Sequence, residues 1–332
     1  MTRNLVKGVV MLVPLAMVAS VDNISSHASA AAAAGTLTQL SLSGETAVAQ
    51  PTLGTTASTG PGGGPSAVAF DGVYVWVARI FSNTVTRIRA SDGLKSGTFN
   101  VGERPAALAV DKGGLWVANL GSNSVMKLRT SDGSVLLTVP VGAEPSALLF
   151  DGTYVWVSNR ADGTVTKLLA STGGVAATFA VGRQPLGMAF DGTSIWIANS
   201  SDNAVMKLRP SDGLVLGTFP VGRAPMEVLY AGASIWVTNF FSGTVTKIRP
   251  SDGFVLGAFS TGDGAAGITF DGRTLWVANG GADTVVGLNP KTGATSVAFV
   301  TGRSPSDVIS DGVNIWVANR GSDSVSTTAA IQ

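Results

Sequence analysis

The sequence predicts an all-β fold, a seven-bladed β-propeller of four-stranded antiparallel blades, and three repeated features predict it. Tryptophan recurs every 40 residues, at Trp76, Trp116, Trp156, Trp196, Trp236, Trp276 and Trp316. Proline keeps the same interval, broken only by Ala265, at Pro65, Pro105, Pro145, Pro185, Pro225 and Pro305. Aspartate keeps it too, with Ala231 in the remaining unit, at Asp71, Asp111, Asp151, Asp191, Asp271 and Asp311. A repeat of this length is typical of propellers and solenoids.

Each unit predicts four short strands. In the fourth unit, apolar or β-branched runs cover 186–190, 194–198, 204–209 and 214–219, with turn-forming residues between them. No window has the 3.6-residue period of an amphipathic helix. Four antiparallel strands repeated seven times form a propeller. A parallel β-helix, the alternative, needs shorter coils and asparagine or aliphatic ladders.

The two ends of the repeat region predict how the ring closes. The last unit ends after its third strand, whereas Leu53-Gly54-Thr55-Thr56 resembles the fourth-strand motif Leu216-Gly217-Thr218-Phe219. We expect the N-terminal segment to complete the last blade, because an open blade edge leaves backbone hydrogen-bonding groups unpaired. The propeller is assigned to residues 51–332, after a signal peptide at 1–30 and a flexible leader at 31–50.

The first 30 residues have the pattern of a secretory signal. Arg3 and Lys7 precede an apolar run, 8–21, that is short for a membrane span, and Ala28-Ser29-Ala30 offers small residues for cleavage. An uncleaved amphipathic or anchoring segment is the alternative. The sequence therefore predicts a secreted or periplasmic protein, monomeric and without a membrane span in its mature form.

Composition narrows the possible chemistry. Lys and Arg number 22 against 21 Asp and Glu, so no long-range field favours a nucleic-acid partner. The chain has no cysteine, which excludes disulfides and cysteine nucleophiles. Its single histidine, His27, lies in the predicted signal. A mature chain without histidine has neither a Ser-His-Asp triad nor a histidine-ligated metal, so we expect no required cofactor.

Residues at equivalent positions of the seven units form columns, and three of these columns are interpreted as structural. The tryptophans have apolar neighbours, which favours packing between blades over an exposed sugar platform. The aspartates are interpreted as hairpin-turn residues rather than as a calcium site. A basic column on the third strands is expected to lie along the outer blade surface with solvated charges, at Arg87, Lys127, Lys167, Lys207 and Lys247.

Departures from the repeat concentrate in the loops between blades and between the second and third strands, which lie at one end of the ring. A constant framework with variable loops is typical of a binding scaffold, although drift at exposed tips gives the same pattern. Phe240 and Phe241, like Ile80 and Phe81, predict a contact patch or a rim that folds back. Five arginines could bind an anion, or could pair with Glu103, Glu144 and Asp263, namely Arg160, Arg183, Arg223, Arg303 and Arg320.

Two acids break a column of small residues on the first strands. The second residue after the proline position is Ala or Gly in five units but Glu227 and Asp307 in the other two. Because an unpaired buried carboxylate is costly, we expect both to face the channel mouth or a cation such as Ca²⁺ or Mg²⁺. Solvated or arginine-paired carboxylates are the alternative.

The repeat resembles the YVTN-type propeller repeat of YncE-like proteins. The matching residues are Trp236-Val237-Thr238-Asn239, the following S-x-T-V, and V-G-R-x-P before the next blade. The resemblance implies an extracytoplasmic propeller. The unit also resembles, more distantly, NHL-type propellers and streptogramin (virginiamycin B) lyases. Those lyases imply a histidine base and metal-binding glutamates. The positions after the proline column hold no histidine here, and the position that tends to carry Glu holds Arg79 or Asn.

The sequence therefore predicts a binding scaffold for a protein or cell-envelope ligand, with no catalytic residue assigned. A divalent-metal-dependent lyase- or lactonase-like enzyme, with its site at the channel mouth near Glu227 and Asp307, is the alternative. A purely structural surface-layer component is a third hypothesis.

Overall fold

The computed structural model describes residues 53–58 and 62–328, and only the backbone of 55–58. Seven four-stranded antiparallel sheets form the blades. The first strands are β2 (Pro65–Phe70), β6 (Pro105–Asp111), β10 (Pro145–Phe150), β14 (Pro185–Phe190), β18 (Pro225–Ala231), β22 (Ala265–Phe270) and β26 (Pro305–Ser310). The second strands are β3 (Tyr74–Arg79), β7 (Gly114–Asn119), β11 (Tyr154–Asn159), β15 (Ile195–Asn199), β19 (Ser234–Asn239), β23 (Leu275–Asn279) and β27 (Ile315–Asn319).

The outer half of each blade is formed by its third and fourth strands. The third strands are β4 (Thr84–Arg89), β8 (Ser124–Leu128), β12 (Thr164–Leu169), β16 (Ala204–Leu208), β20 (Thr244–Ile248), β24 (Thr284–Leu288) and β28 (Ser324–Thr327). The fourth strands are β5 (Lys95–Asn100), β9 (Val135–Pro140), β13 (Val175–Ala180), β17 (Val215–Pro220), β21 (Val255–Ser260) and β25 (Thr295–Val300), with β1 (Gly54–Ser58) in the last blade. In the fourth blade, every observed strand boundary lies within one residue of its prediction.

The ring closes through its N-terminal strand. Strand β1 pairs antiparallel with β28, from Gly54 opposite Thr327 to Ser58 opposite Ser324. Each first strand contacts the first strands of the neighbouring blades, including β26 with β2, so the seven blades form a complete circle. The predicted closure is therefore confirmed. The predicted signal peptide and leader lie outside the described residues.

The tryptophan column forms the core between blades. Six of the seven indoles are fully buried, and Trp276 is 9% exposed. In six blades the indole Nε1 donates to the aspartate Oδ2 at 2.8 Å, as Trp196 does to Asp191. The other oxygen of Asp191 accepts the turn amides of Thr193 and Ser194. Each aspartate therefore joins a hairpin turn to the core, which confirms its structural interpretation.

The prediction of solvated charges on the outer blade surface is wrong for the basic column. Lys167, Lys207 and Lys247 donate at 2.7–2.8 Å to the carbonyl of a proline 43 residues further along the chain. The Nζ atom of Lys127 forms an ion pair with Asp111 Oδ2 at 2.7 Å, and it lies 5.0 Å from the centre of the Trp116 ring. The aromatic rings and the carbonyls of the next blade stabilise these charges away from water, so the column ties neighbouring blades together.

The described residues contain three short 3-10 helices, all in loops that follow a second strand: Ser200–Asp202, Phe240–Ser242 and Arg320–Ser322. In that same part of the chain, no helix has the length and apolarity needed to cross a membrane.

Candidate functional site

The variable loops lie at one end of the ring, which we call the upper end. It comprises the loops that follow the second strands and the segments that lead into the first strands. The first loop residue of every blade donates its backbone N–H to the carbonyl of the residue before the proline position, as Ile80 does to Gly64 and Arg320 to Ser304. The second loop residue makes a matching bond, as Phe81 does to Gly63. Because backbone bonds hold these loops, their side chains can vary without loss of the fold.

Apolar side chains at the first loop position cover parts of the upper end. Ile80 and Leu120 are buried and pack together with Ala106. On the opposite side of the ring, Phe240 packs on the buried pair Leu186 and Met226. Ile80 therefore folds back onto the rim, and Phe240 packs partly on it. The assignment of Phe240 to a ligand site stays a prediction.

Two phenylalanines at the second loop position are exposed instead. Phe81 is 57% exposed and Phe241 is 54% exposed, where the other blades carry Gly, Ala or Ser. The Phe240 and Phe241 rings are nearly perpendicular, with their centroids 5.5 Å apart. Phe81 lies against Gly64, where an added β-carbon would be 2.5 Å from the ring. Both rings are thus held in place while more than half of each side chain remains exposed.

Two of the predicted arginines meet in a cleft of about 590 Å³ between the third and fourth blades. Arg160 pairs with Glu144 at 2.7 Å, and Arg183 pairs with Asp202 at 2.6 Å. The structure therefore brings Arg160 and Arg183 together but balances the charge of each with an acid.

Arg223 and Arg303 lie elsewhere on the upper end. The guanidinium of Arg223 is 5.9 Å from the centre of the Phe241 ring. The backbone N–H groups of Arg223 and Arg303 donate to the hydroxyls of Ser242 and Ser322, at 2.8 and 3.1 Å. These bonds position the backbone and leave the two side chains exposed.

Arg320 has a different environment from the other predicted arginines. Its guanidinium lies over the Phe81 ring, 5.4 Å from the ring centre. The Nη2 atom is buried and has no hydrogen-bond partner among the described residues. Burial lowers the pKa of Arg320, and the positive charge of Arg104 lowers it further. The Arg320 guanidinium thus lies over an exposed aromatic ring, within the electrostatic range of Arg104.

Arg104 is the residue that the sequence interpretation missed. It directly precedes Pro105 and has a left-handed backbone, with φ of 53°. Its N–H donates to Asn83 Oδ1 at 2.8 Å, which holds this conformation. Its side chain passes Gly121, so a β-carbon on that glycine would lie 3.3 Å from the Arg104 Cδ. The signal was present in the sequence, because the corresponding residues are uncharged in every other blade except at Glu144.

The two acids on the first strands are buried rather than solvated. Glu227 and Asp307 are each 1% exposed. Asp307 Oδ2 accepts the backbone N–H of Val68 at 2.8 Å, across the seam between the last and first blades. Neither carboxylate oxygen of Glu227 has a hydrogen-bond partner within the described part of the chain. Neither acid forms an ion pair with an arginine there either.

Burial controls the protonation of this pair. It raises the pKa of Glu227 well above its ordinary value, and the nearby Asp307 carboxylate raises it further. Burial raises the pKa of Asp307 to about 8, although hydrogen bonds from the N–H groups of Val68 and Val308 lower it. The described residues contain no group of three or more His, Cys, Asp or Glu side chains arranged to hold a metal ion.

Comparison with solved structures places this architecture among known propellers. A streptogramin B lyase structure superimposes with a TM-score of 0.72 at 16% sequence identity, over 83% of this chain and 96% of the lyase. The fold is similar to that of a streptogramin B lyase. Virginiamycin B lyase from Staphylococcus aureus gives 0.71 at 15% identity, over 83% and 98% of the two chains. Hydrazine synthase from Kuenenia stuttgartiensis gives 0.71 at 19% identity, over 82% and 97%.

At these identities the similarity extends to the fold alone. The sequence matches no protein-family model, and a search of the curated proteins found no match. Another similar structure is a catalytically inactive histidine-to-alanine variant of the S. aureus lyase with quinupristin, at a TM-score of 0.70 and 16% identity. The propeller fold predicted from the repeat is confirmed, and its YVTN-type resemblance stays a prediction.

Proposed function

We propose that the protein is an extracytoplasmic binding module whose ligand binds at the upper end, against the exposed rings of Phe81 and Phe241. The supporting observation is that both rings are more than half exposed although backbone bonds and neighbouring side chains hold them in place. Water-exposed aromatic rings on an ordered surface are typical of recognition sites. The two rings belong to the first and fifth blades, so a ligand that contacts both spans the upper end.

The repeated framework supports the same proposal by contrast. The Asp, Trp and Lys columns are used in turns, in the core and between blades, as Asp191, Trp196 and Lys207 show. None of these columns has an evident role beyond the fold. Phe81 and Phe241 have no comparable structural role, since the other blades fold with Gly, Ala or Ser at the same position. Protein segments and cell-envelope fragments that carry apolar groups are therefore the expected ligands.

A binding screen with matched variants tests this proposal. The probes are muropeptides, cell-envelope polysaccharide fragments and aromatic-containing peptides, and the readouts are thermal shift and calorimetry. Phe81→Ser and Phe241→Ser should each weaken the binding of a positive probe at least tenfold. Phe254→Ser is the control, because Phe254 is 59% exposed and lies at the opposite end of the ring. A panel without any binder, or an equal loss in the control, contradicts the proposal.

The similarity to the lyases and the two buried acids favour a second candidate, a divalent-metal-dependent lyase- or lactonase-like enzyme. In that case Glu227 and Asp307 would hold Ca²⁺ or Mg²⁺, as oxygen ligands suited to these ions. The S. aureus lyase variant is inactive because a histidine is replaced by alanine. Residues 53–58 and 62–328 of this chain contain no histidine that could take that role. Calorimetry with each ion discriminates: heat that disappears in Glu227→Gln supports the enzyme, and no heat from the parent protein opposes it.

A further inference from the structure

The corner of the upper end around Phe81 combines three side chains from three consecutive blades. Arg320 comes from the last blade, Phe81 from the first and Arg104 from the second. The Arg320 guanidinium lies over Phe81 at 5.4 Å, and Arg104 is near enough for its charge to disfavour a second cation there. We call this group the arginine corner.

The two guanidinium groups of the arginine corner have no ion-pair partner in the described part of the chain. The nearby Asp323 carboxylate accepts the N–H groups of Gly62 and Gly64, both at 2.7 Å. Among residues 62–328, neither Arg104 nor Arg320 pairs with an acid, whereas Arg160 and Arg183 each do. A buried guanidinium N–H without an acceptor, such as Nη2 of Arg320, costs free energy comparable to a lost hydrogen bond to a charged group. Placing two like charges together adds to that cost. An anion bound between them would supply the missing acceptor and neutralise the repulsion.

Geometry limits the kind of anion. Guanidinium groups bind carboxylate and phosphate through two parallel hydrogen bonds. The face of Phe81 beside them is exposed and apolar. A ligand that satisfies both features has an anionic group attached to an aromatic or other apolar group.

We propose that the arginine corner is an anion-binding site that recognises a carboxylate or phosphate ester on an apolar group. This inference rests on the proposed function and specifies the ligand chemistry at one of its two rings.

Small probes test the charge and the ring separately. Benzoate and phenyl phosphate carry the two anionic groups, and benzyl alcohol is the neutral analogue. We expect ligand-observed NMR and calorimetry to give binding of at least one anionic probe ten times tighter than that of benzyl alcohol. Which anion binds more tightly distinguishes a carboxylate ligand from a phosphate ester. Raising the salt concentration should weaken the anionic probes and leave benzyl alcohol unchanged.

Two variants and a matched control locate the effect. Arg320→Gln and Arg104→Gln should each reduce the affinity of the preferred anion at least fivefold, and Arg104→Gln serves if the first variant fails to fold. Arg249→Gln should leave affinity unchanged. Arg249 also lies over an exposed phenylalanine, Phe254, at 5.1 Å, but Asp252 neutralises it at 2.6 Å.

The outcomes separate this inference from the proposed function. Equal affinity for benzoate, phenyl phosphate and benzyl alcohol, with no change in either arginine variant, overturns the arginine corner. In that case, binding lost only in Phe81→Ser would still support recognition by the exposed rings. If no probe binds at the corner, the anion inference fails, and the broader panel decides the proposed function.

Discussion

Gly187 lies directly against the backbone of Glu227. A β-carbon added to the glycine would be 2.6 Å from the Glu227 Cα and 2.9 Å from Oε1 of its carboxylate. Gly267 has the same relationship with Asp307, at 2.6 Å from its Cα and 2.8 Å from Oδ1. Each buried acid is therefore preceded, one blade earlier, by a glycine that leaves room for it.

Gly187→Ala tests this close approach. Overpacking of a filled core typically costs about 1–3 kcal/mol, and here the nearest atoms are backbone atoms that cannot rotate away. We expect urea denaturation to show a loss of about 2 kcal/mol in the free energy of unfolding. Gly174→Ala is the control, because its added β-carbon meets only the Thr172 hydroxyl at 3.3 Å. An equal change in the two variants would show that the contact has no energetic weight.

The buried acids should make stability depend on pH. The pKa of Asp307 is raised to about 8 and that of Glu227 lies well above its ordinary value. Between pH 4 and the folded-state pKa, the native protein binds protons that the unfolded chain releases. A rise in pH through this window therefore favours unfolding, and the stability is fully present only below the unfolded-state pKa near 4.

Chemical denaturation in EDTA at pH 5 and pH 8.5 measures this effect. We expect the parent protein to lose at least about 2 kcal/mol relative to the double variant Glu227→Gln/Asp307→Asn, since each unit of pKa difference corresponds to about 1.4 kcal/mol. The double variant removes the pair but keeps all other titrating groups. Parallel pH profiles for the two proteins would mean that both carboxylates titrate normally.

The periodicity predicts the fold well because each repeated residue has the same task in every blade. Trp196 and its equivalents fill the space between blades, and the Asp191 column fixes the hairpins. Repetition of a packing unit is visible in a single sequence without knowledge of distances. The closing strand β1 was predictable for the same reason, since its motif repeats that of the other fourth strands.

The upper end was less predictable because its contacts join different blades. Sequence spacing places Arg320 and Phe81 239 residues apart, yet ring closure stacks them. The hydrogen-bond partners of the Lys column are not visible in the sequence for a related reason, because the accepting carbonyl of Pro250 belongs to the blade after that of Lys207. Column patterns show which residues are unusual, whereas partners across blades emerge only from the closed ring.

The turn of the fifth blade predicts a stabilising substitution. This blade lacks the turn aspartate, and Trp236 Nε1 donates at 3.2 Å to the carbonyl of Ala231 instead. Ala233 in the same turn has φ of 57°. A left-handed conformation costs a residue with a β-carbon about 1–2 kcal/mol. Glycine avoids this cost, but the larger entropy of its unfolded state offsets part of the gain in stability.

Ala233→Gly should therefore increase the free energy of unfolding by about 0.5–1 kcal/mol. Ala176→Gly, at an exposed position within β13, should decrease it by a similar amount because the strand backbone needs no positive φ there. Urea denaturation of both variants gives the two signs. A loss of stability in both would indicate that the strain at Ala233 is negligible.

The N-terminal strand predicts a cooperative effect of truncation. Strand β1 supplies the fourth strand of the last blade, and Leu53 beside it is 5% exposed, packs in the cluster of Trp276 and donates its N–H to Val300 at 3.0 Å. Removing residues 1–60 leaves β28 as an open edge and exposes the apolar surface under Leu53.

Removing residues 1–50 keeps all of these contacts. We expect the longer deletion to lower the free energy of unfolding by at least about 3 kcal/mol relative to the shorter one. Circular dichroism should still show a single transition, because the ring transmits the loss to every blade. Leu53→Asp in the full chain should reproduce part of that loss. Superimposable melting curves for the two deletions would show that the ring is stable without its closing strand.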